Sequence, residues 1–215
     1  MDFGILVPKK EHEPKEGLTI SRRLYKNDID SLSLFSFGKG TDISPEAYSS
    51  EAIYIGAGED GSFELGGDSL PFKSGDIIYV PKNRLLGASA GEEGFLYFEL
   101  LMEKETFMND ILKAGEVFAL KDLIGYENGG IANMDLAKNE GMKFMILSFD
   151  EGCELSEHRA PGNALLFALE GKAVIGYEGK DYEISEGENF RFEKNGLHSV
   201  KAKGRFKMAL LLMLK

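Results

Sequence analysis

The side chains most suited to binding a transition metal or acting as a nucleophile are few: three histidines, His12, His158 and His198, and one cysteine, Cys153. A neutral imidazole can hold a divalent metal, accept a hydrogen bond from a ligand, or move a proton near neutral pH. His158 lies in "SEHRAPGNALLFALEGKA", Ser156 to Ala173, just ahead of an apolar, strand-like run, and His198 lies in "EKNGLHSVKAK". His12 sits in a charged N-terminal stretch and reads as a solvated surface residue. Cys153 precedes His158 by five residues. Along an extended strand that is over ~15 Å at ~3.3 Å per residue, so no thiol–imidazole pair is expected. The 36 acidic residues make neighbouring carboxylates commonplace, without glycosidase meaning.

Other chemistries are excluded by composition. One cysteine cannot build a zinc ribbon or an internal disulfide, and no Asn-x-Ser/Thr acceptor occurs, so a reducing, cytoplasmic setting is expected. A net charge of −11 repels a phosphate backbone, and the densest basic stretch, "KAKGRFK" at Lys201 to Lys207, reads as a solvated strand or turn; nucleic acid is not an expected partner. Neither end carries the ~18 to 20 apolar residues of a membrane span, and no signal-peptide apolar region is visible. "GAGEDG", Gly56 to Gly61, fits the dinucleotide fingerprint, but "SFELGGDSLPF" follows where a helix would have to hold the pyrophosphate. A hairpin turn is expected there.

The elements that must position the histidines come in two copies. At a constant offset of 112 residues Leu24 meets Leu136, Lys26-Asn27 meets Lys138-Asn139, and Ser36-Phe37 meets Ser148-Phe149. Gly40 likewise meets Gly152, Ser44 meets Ser156, Gly75 meets Gly187, and Lys82-Asn83 meets Lys194-Asn195. Each copy reads as short apolar or alternating runs between Gly, Asp, Asn and Lys turns: "SLSLFSF", "EAIYIGAG", "DIIYVP" and "FLYFELLM" in the first, "MKFMILSF", "ALLFALEG", "NFRFE" and "FKMALLLML" in the second. Evenly spaced short strands indicate an antiparallel barrel or sandwich. Between the copies, "KETFMNDILKAGE" sets Phe107, Met108, Ile111 and Leu112 at helical spacing ahead of Gly115, and predicts one linking helix near Glu105 to Ala114.

This repeat unit resembles the cupin superfamily, whose two motifs are G-x5-H-x-H-x3-4-E-x6-G and G-x5-P-x-G-x2-H-x3-N. The second copy places Gly152, His158, Ala160, Ala164 and Gly171 at the spacing of the first motif, and Gly187, Glu193, Asn195 and His198 at that of the second. The resemblance implies an all-β fold of two tandem jelly-roll barrels joined by a short helix. Its expected parts are an N-terminal segment 1–19, a first module 20–102, a linker 103–129 and a second module 130–215.

Cupins typically hold a divalent metal with three histidines and a glutamate. His158 and His198 keep two of those positions, whereas Ala160 and Ala164 have no lone pair to donate. Three outcomes stay open for the second module. A divalent transition metal held by His158 and His198 could have its shell completed by water, substrate or a side chain such as Glu157 or Asn163. A metal-free pocket could bind a small molecule beside the two histidines, with Ala160, Ala164, Leu166 and Phe192 or Phe190 as its walls. Both histidines could instead be satisfied within the protein. In the first module Glu46, Tyr48 and Leu86 stand where His158, Ala160 and His198 stand, and Glu51 falls on the glutamate position after a one-residue deletion. No metal is expected there.

The resemblance therefore carries three functional readings: a small-molecule-binding cupin, a metal-dependent dioxygenase or isomerase, and a non-catalytic scaffold. A small-molecule ligand is the expected partner, and a homodimer stays open.

Overall fold

The computed structural model describes residues 3–214. Met1, Asp2 and Lys215, which end the expected N-terminal segment and second module, lie outside the described residues. From Gly4 the chain forms β1 (Gly4–Leu6), a single helical turn α1 (Pro8–Glu11), β2 (Thr19–Lys26), β3 (Asp30–Phe37), β4 (Asp42–Ala47), β5 (Glu51–Gly56), β6 (Gly61–Leu65), β7 (Asp68–Phe72), β8 (Asp76–Val80), β9 (Leu85–Ala90) and β10 (Phe95–Met102). Two short strands, β11 (Phe107–Met108) and β12 (Val117–Ala119), lead through a 3-10 turn into β13 (Ile131–Lys138), β14 (Met142–Phe149), β15 (Glu154–Arg159), β16 (Asn163–Tyr177), β17 (Lys180–Ser185), β18 (Asn189–Phe192) and β19 (Leu197–Met213). The architecture is all-β, as the strand-like runs and the resemblance imply. Among the described residues no helix is long and apolar enough to cross a membrane.

The chain divides into two compact units. One comprises Pro8–Thr106 and Asp110–Ala119, and holds a six-stranded sheet in the order β12-β8-β5-β10-β3-β2 and a four-stranded sheet in the order β4-β9-β6-β7. Its core is dominated by aromatic rings, with Phe37, Tyr54, Phe63, Phe72, Phe95 and Tyr97 buried together. β10, "FLYFELLM", is buried along nearly its whole length, as a central strand covered on both faces must be.

The other unit comprises Met1–Val7, Phe107–Asn109 and Leu120–Lys215. Its sheet runs β1-β18-β16-β19-β14-β13-β11, with β15 paired to β19 and β17 to β16. β16 and β19 are long because each bends and pairs along both halves, with register shifts at Ala168/Glu170 and Gly171/Lys172. At the bend Gly171 has φ +78°, and a Cβ there would stand 2.1 Å from the Arg205 carbonyl oxygen. Only glycine fits that approach. The core here is more aliphatic, built from Leu166, Ile175, Ile184, Val200 and Met208 with Phe149, Phe190 and Phe206.

Backbone demands explain many of the residues that match at the 112-residue offset. Asn27 and Asn139 each cap a hairpin turn with the side-chain oxygen, which accepts from the amides of Ile29 and Asp30 in one unit and of Gly141 and Met142 in the other. Asn83 and Asn195 both adopt the left-handed conformation, at φ 63° and 64°. Asparagine tolerates that region better than most residues. Leu24 and Leu136 are both the buried extra residue of a bulge, in β2 and β13 respectively. β4 and β15, both mostly exposed, bulge at the same place, between Ile43 and Glu46 and between Leu155 and His158.

Three expectations need correction. The segment near Glu105 to Ala114 is not a helix: Phe107-Met108 pair with Lys138 and Ala137 as β11, and the Asn109 amide donates to the Leu136 carbonyl. Strand partners take the hydrogen bonds that a helix of this length, marginal in water, would have to make alone. Gly115 is left-handed at φ +77° as expected, but it turns the chain into β12. Nor is the stretch 1–19 a separate segment, since β1 pairs with β18 in one unit and Pro8 begins the other. β1 meets β18 with Ile5 opposite Phe190 and Leu6 opposite Asn189; β12 meets β8 with Val117 opposite Ile78 and Phe118 opposite Ile77. The two registers match at the same offset. Nor is Gly56–Gly61 the expected hairpin turn: it carries the chain from β5 in the six-stranded sheet to β6 in the four-stranded one, although no helix follows it, as its sequence context requires.

Candidate functional site

In the second unit the bulge in β15 brings His158 into register with His198 on β19, and the two ring centroids are 4.3 Å apart. A bulge is a common device for re-aiming a side chain at the end of a barrel. His158 is exposed, while His198 is only 6% exposed and packs 4.6 Å from the Phe192 ring. Each Nδ1 lies 2.9 Å from a backbone carbonyl two residues earlier, Ser156 for His158 and Gly196 for His198. A carbonyl oxygen can only accept, so Nδ1 carries the hydrogen in both rings. In the neutral forms each Nε2 is then left with a lone pair. Burial lowers the His198 pKa, the nearby His158 lowers it further, and the Gly196 carbonyl acts the other way.

Behind the rim the wall is apolar. Ala160 and Ala164 are buried at 8% and 7% exposure, Leu166 is fully buried, and Phe192 faces Ala164 across the β16–β18 pair. Phe190 stands opposite Leu166. Met145, Leu210 and Leu212 pack against the same core yet stay partly exposed, which marks the part of the interior that solvent reaches. Beside the His198 anchor, Tyr177, Glu178, Glu193, Lys194, Asn195, Gly196 and Phe3 surround a depression of about 180 Å³.

The side chains named to complete a metal shell are engaged elsewhere or exposed. Asn163 accepts from the Lys194 amide through its side-chain oxygen (2.9 Å), and Glu157 is exposed on β15. Among the described residues no group of three or more His, Cys, Asp or Glu side chains could hold a metal ion. Two imidazoles without a third donor do not fit the resident divalent metal that this fold often carries. Cys153 packs half-buried against the core, as a small apolar group would. His12, expected to be solvated, is half-buried, with its Nε2 enclosed and lacking a partner.

In the first unit the equivalent of the histidine pair is Glu46 opposite Leu86. Leu86 is buried in the aromatic core. The strand registers correct one expected equivalence: Ala52 faces Val80 as Ala164 faces Phe192, so Ala52, and not Glu51, stands at the glutamate position. Glu51 instead accepts a hydrogen bond from the Tyr79 hydroxyl at 2.7 Å. The first copy lacks no residue before this point; it carries one extra residue in the turn after β9, because Phe95 faces Phe37 where Phe206 faces Phe149.

A residue that motif reasoning missed lies in the same unit. Glu99, 6% exposed on β10, stands opposite Tyr54 and borders a crevice also lined by Phe35, Tyr48 and Tyr97. Its signal was present in "FLYFELLM", where one carboxylate interrupts an otherwise apolar run. Burial raises the Glu99 carboxyl to about 7, while the hydrogen bond from Tyr54 and the charge of Arg23 pull it down.

Comparison with known proteins agrees with this architecture. Residues 145–214 match the model of the family described as "Cupin domain". Among solved structures, a "Cupin 2 conserved barrel domain protein" from Leptotrichia buccalis superposes with a TM-score of 0.85 at 23% identity, covering 99% of this chain and 98% of its own. A salicylate 1,2-dioxygenase from Pseudaminobacter salicylatoxidans gives a TM-score of 0.67 at 10% identity over 99% of this chain and 84% of that one. The protein Ylba from E. coli gives 0.60 at 12% identity, over 99% and 90%. No curated protein matches in sequence. The chain as a whole thus has the cupin barrel fold, and within it residues 145–214 are similar in sequence to the cupin domain.

Proposed function

We propose that the second barrel binds a small molecule at its mouth, with His158 and His198 as its polar contacts and Ala160, Ala164, Leu166 and Phe192 as the wall behind them. One observation carries the reading: both imidazoles have Nδ1 tied to a backbone carbonyl, so two acceptor nitrogens of fixed tautomer stand side by side above an apolar interior. Such a site favours a mostly apolar ligand with one or two hydroxyl or N–H donors, since a few fixed polar groups in an apolar pocket set orientation and specificity. The alanine methyls leave room where longer chelating side chains would fill the mouth. In this reading the protein meets its ligand in the cytoplasm, as a single chain or a homodimer.

The test is a screen of small hydroxy- and amino-compounds by thermal shift, repeated on His158→Ala and His198→Ala. A ligand that stabilises the wild type should lose about tenfold in affinity in each variant, by the ordinary worth of a hydrogen bond to a buried partner. A ligand indifferent to both substitutions would sink the reading.

The second reading, a metal-dependent dioxygenase or isomerase with one divalent transition metal on His158 and His198, is favoured by the same Nδ1 anchoring, the usual outer support of a metal-ligating histidine. The donor count opposes it. Elemental analysis of untagged protein decides: near-stoichiometric metal that disappears in His158→Ala would replace the first reading with this one. If neither ligand nor metal is found, the third reading holds for this barrel, a non-catalytic scaffold.

A further inference from the structure

The mouth of the second barrel continues beyond the histidine pair. On β14, Met145, Leu147 and Phe149 face the core, so Lys143, two residues before Met145, leaves the same face of the strand. Lys143 stands opposite Leu212 on β19, Leu212 opposite Ala164 on β16, and Ala164 opposite Phe192 on β18. One cross-strand row therefore joins an ammonium group to the wall of the histidine site. At the far end of the row Phe192 packs against His198. Neighbouring strands lie ~4.8 Å apart, so the three steps from β18 to β14 cover about 14 Å.

The floor between the two ends is apolar and partly open. Ala164 contributes only a methyl group, and Leu212, with Met145 and Leu210 in the next row, stays partly exposed. The cation at the near end is anchored without being used up. Asp135, opposite Met145, lies 2.8 Å from the Lys143 ammonium and 3.6 Å from that of Lys138, which is itself opposite Lys143. Within these two rows, two ammonium groups thus face one carboxylate. An ammonium has three N–H donors and the Lys143 side chain is 36% exposed, so one donor can turn to a ligand while Asp135 keeps the stem in place. In a chain of net charge −11, two lysines on the inner face of a mostly apolar sheet are a local exception to the overall field.

We propose that the ligand of the second barrel is an elongated, apolar monocarboxylate with a hydroxyl or N–H donor at its other end. Lys143 holds the carboxylate, Ala164, Leu212 and Leu210 carry the apolar middle, and the donor reaches Nε2 of His158 or His198. This rests on the histidine reading above and adds the charge and the length of the ligand. The two ends ask for different groups. Neutral imidazoles with Nδ1 tied to a carbonyl accept a hydrogen bond and offer a carboxylate nothing, whereas an ammonium donates and holds an anion, so the ligand has one orientation. A monoanion suits the place better than a dianionic phosphate, because the two rows carry a single positive charge in excess.

The test is isothermal titration calorimetry of the intact protein, above the ordinary histidine pKa, with 6-hydroxyhexanoate, 8-hydroxyoctanoate and 10-hydroxydecanoate. Each is run beside the diol in which a hydroxymethyl group replaces the carboxylate. At least one acid should bind, about tenfold tighter than its diol, since a hydrogen bond between charged partners exceeds a neutral one. Lys143→Met, which keeps an unbranched stem, should bring the acid down to the affinity of the diol and leave the diol unchanged. Lys143→Gln repeats the comparison should the first variant misfold. His158→Ala and His198→Ala should weaken acid and diol alike. The two claims fail separately. Equal binding of acid and diol, or an acid preference that survives Lys143→Met, would overturn the carboxylate assignment and leave the histidine reading standing. An acid preference lost in Lys143→Met but indifferent to both histidine variants would remove the histidine contact and with it the spanning ligand. No binding across the whole series would overturn the proposal outright.

Discussion

Laid strand on strand, the two barrels differ most in one row of side chains. In the first, the row reads Arg23, Ser33, Glu99, Tyr54, Ile78; at the corresponding register the second reads Asp135, Met145, Leu210, Leu166, Phe190. The mouths differ in the opposite sense, with Glu46 and Leu86 in the first barrel against His158 and His198 in the second. One barrel thus carries a carboxyl in this row of an otherwise aromatic interior and has lost the imidazoles at its rim; the other is apolar along the row beyond Asp135 and keeps them. The lesson is that the backbone of a jelly roll does not decide which layer carries the chemistry, since turns and bulges coincide while the interior rows share no residue type.

The largest expected effect concerns how the interiors are filled. Phe63 and Ile175 occupy the same place, opposite Ala88 and Val200 respectively. Phe63 has the rings of Tyr54, Phe72, Phe95 and Tyr97 within 5.4 Å between centroids, whereas Ile175 stands between Val200 and Tyr182 on the neighbouring strands. Phe63→Ala should cost ~3 to 5 kcal/mol and Ile175→Val ~0.5 to 1.5 kcal/mol, measured by urea unfolding of the full chain. A small loss for Phe63→Ala would mean that the aromatic cluster is loosely packed and the contrast between the cores is only one of residue type.

The interior carboxylate should show itself in the pH dependence of stability. Glu99 has its pKa raised from 4.5 to about 7 in the folded protein. The fold therefore favours the protonated form, and the contribution is complete below the unfolded pKa and lost as pH rises through about 7. Its full size is about 3 kcal/mol, since each tenfold gain in proton affinity on folding is worth about 1.4 kcal/mol. Glu99→Gln should flatten this slope in urea midpoints taken on either side of that range. Leu210, at the same register in the second barrel, has nothing to titrate. A slope that survives Glu99→Gln would assign it to other groups and break the comparison of the two rows.

A third expected effect tests what the barrels share. Asn83 and Asn195 are both left-handed, and alanine at either position should cost about 1 to 2 kcal/mol, with glycine tolerated at both. Equal losses would sharpen the view that the copies differ in filling and not in backbone. A marked inequality would show that one turn is supported by contacts the other lacks.

These shared backbone features are also what made the fold legible in sequence. Asn27, Asn83, Gly40 and Gly75 match their partners because turns need particular dihedral angles wherever they occur, and such requirements survive as residue identities. The linking helix was misread because Phe107, Met108, Ile111 and Leu112 have helical spacing, while the β13 edge that captures Phe107 and Met108 lies some thirty residues further along the chain. At the candidate sites, motif spacing could find His158 and His198, since each occupies a motif position. It could not find Glu99, whose meaning depends on Tyr54 and Tyr97 arriving from separate strands or positions of the sheet. Nor could it place the first copy's extra residue after β9, which only the pairing of Phe95 with Phe37 reveals.

The smallest expected effect probes whether the two rim histidines act on one another. His198 is held neutral chiefly by burial and secondarily by His158 beside it, against the opposing pull of the Gly196 carbonyl. Because its folded pKa is depressed, its contribution to stability is present above the unfolded value of 6.5 and lost as pH falls, when the unfolded chain takes up the proton more readily. This slope runs opposite to that of Glu99, so the two barrels should weaken at opposite ends of the pH range. In His158→Ala the smaller cause is gone and burial remains, so the His198 imidazole signal in an NMR titration should move its midpoint up while staying below the ordinary histidine value. With three histidines in the chain the assignment is direct. An unmoved midpoint would mean that the rings, though 4.3 Å apart, do not sense each other's charge, and the pair would have to be treated as two separate contacts in any account of the ligand.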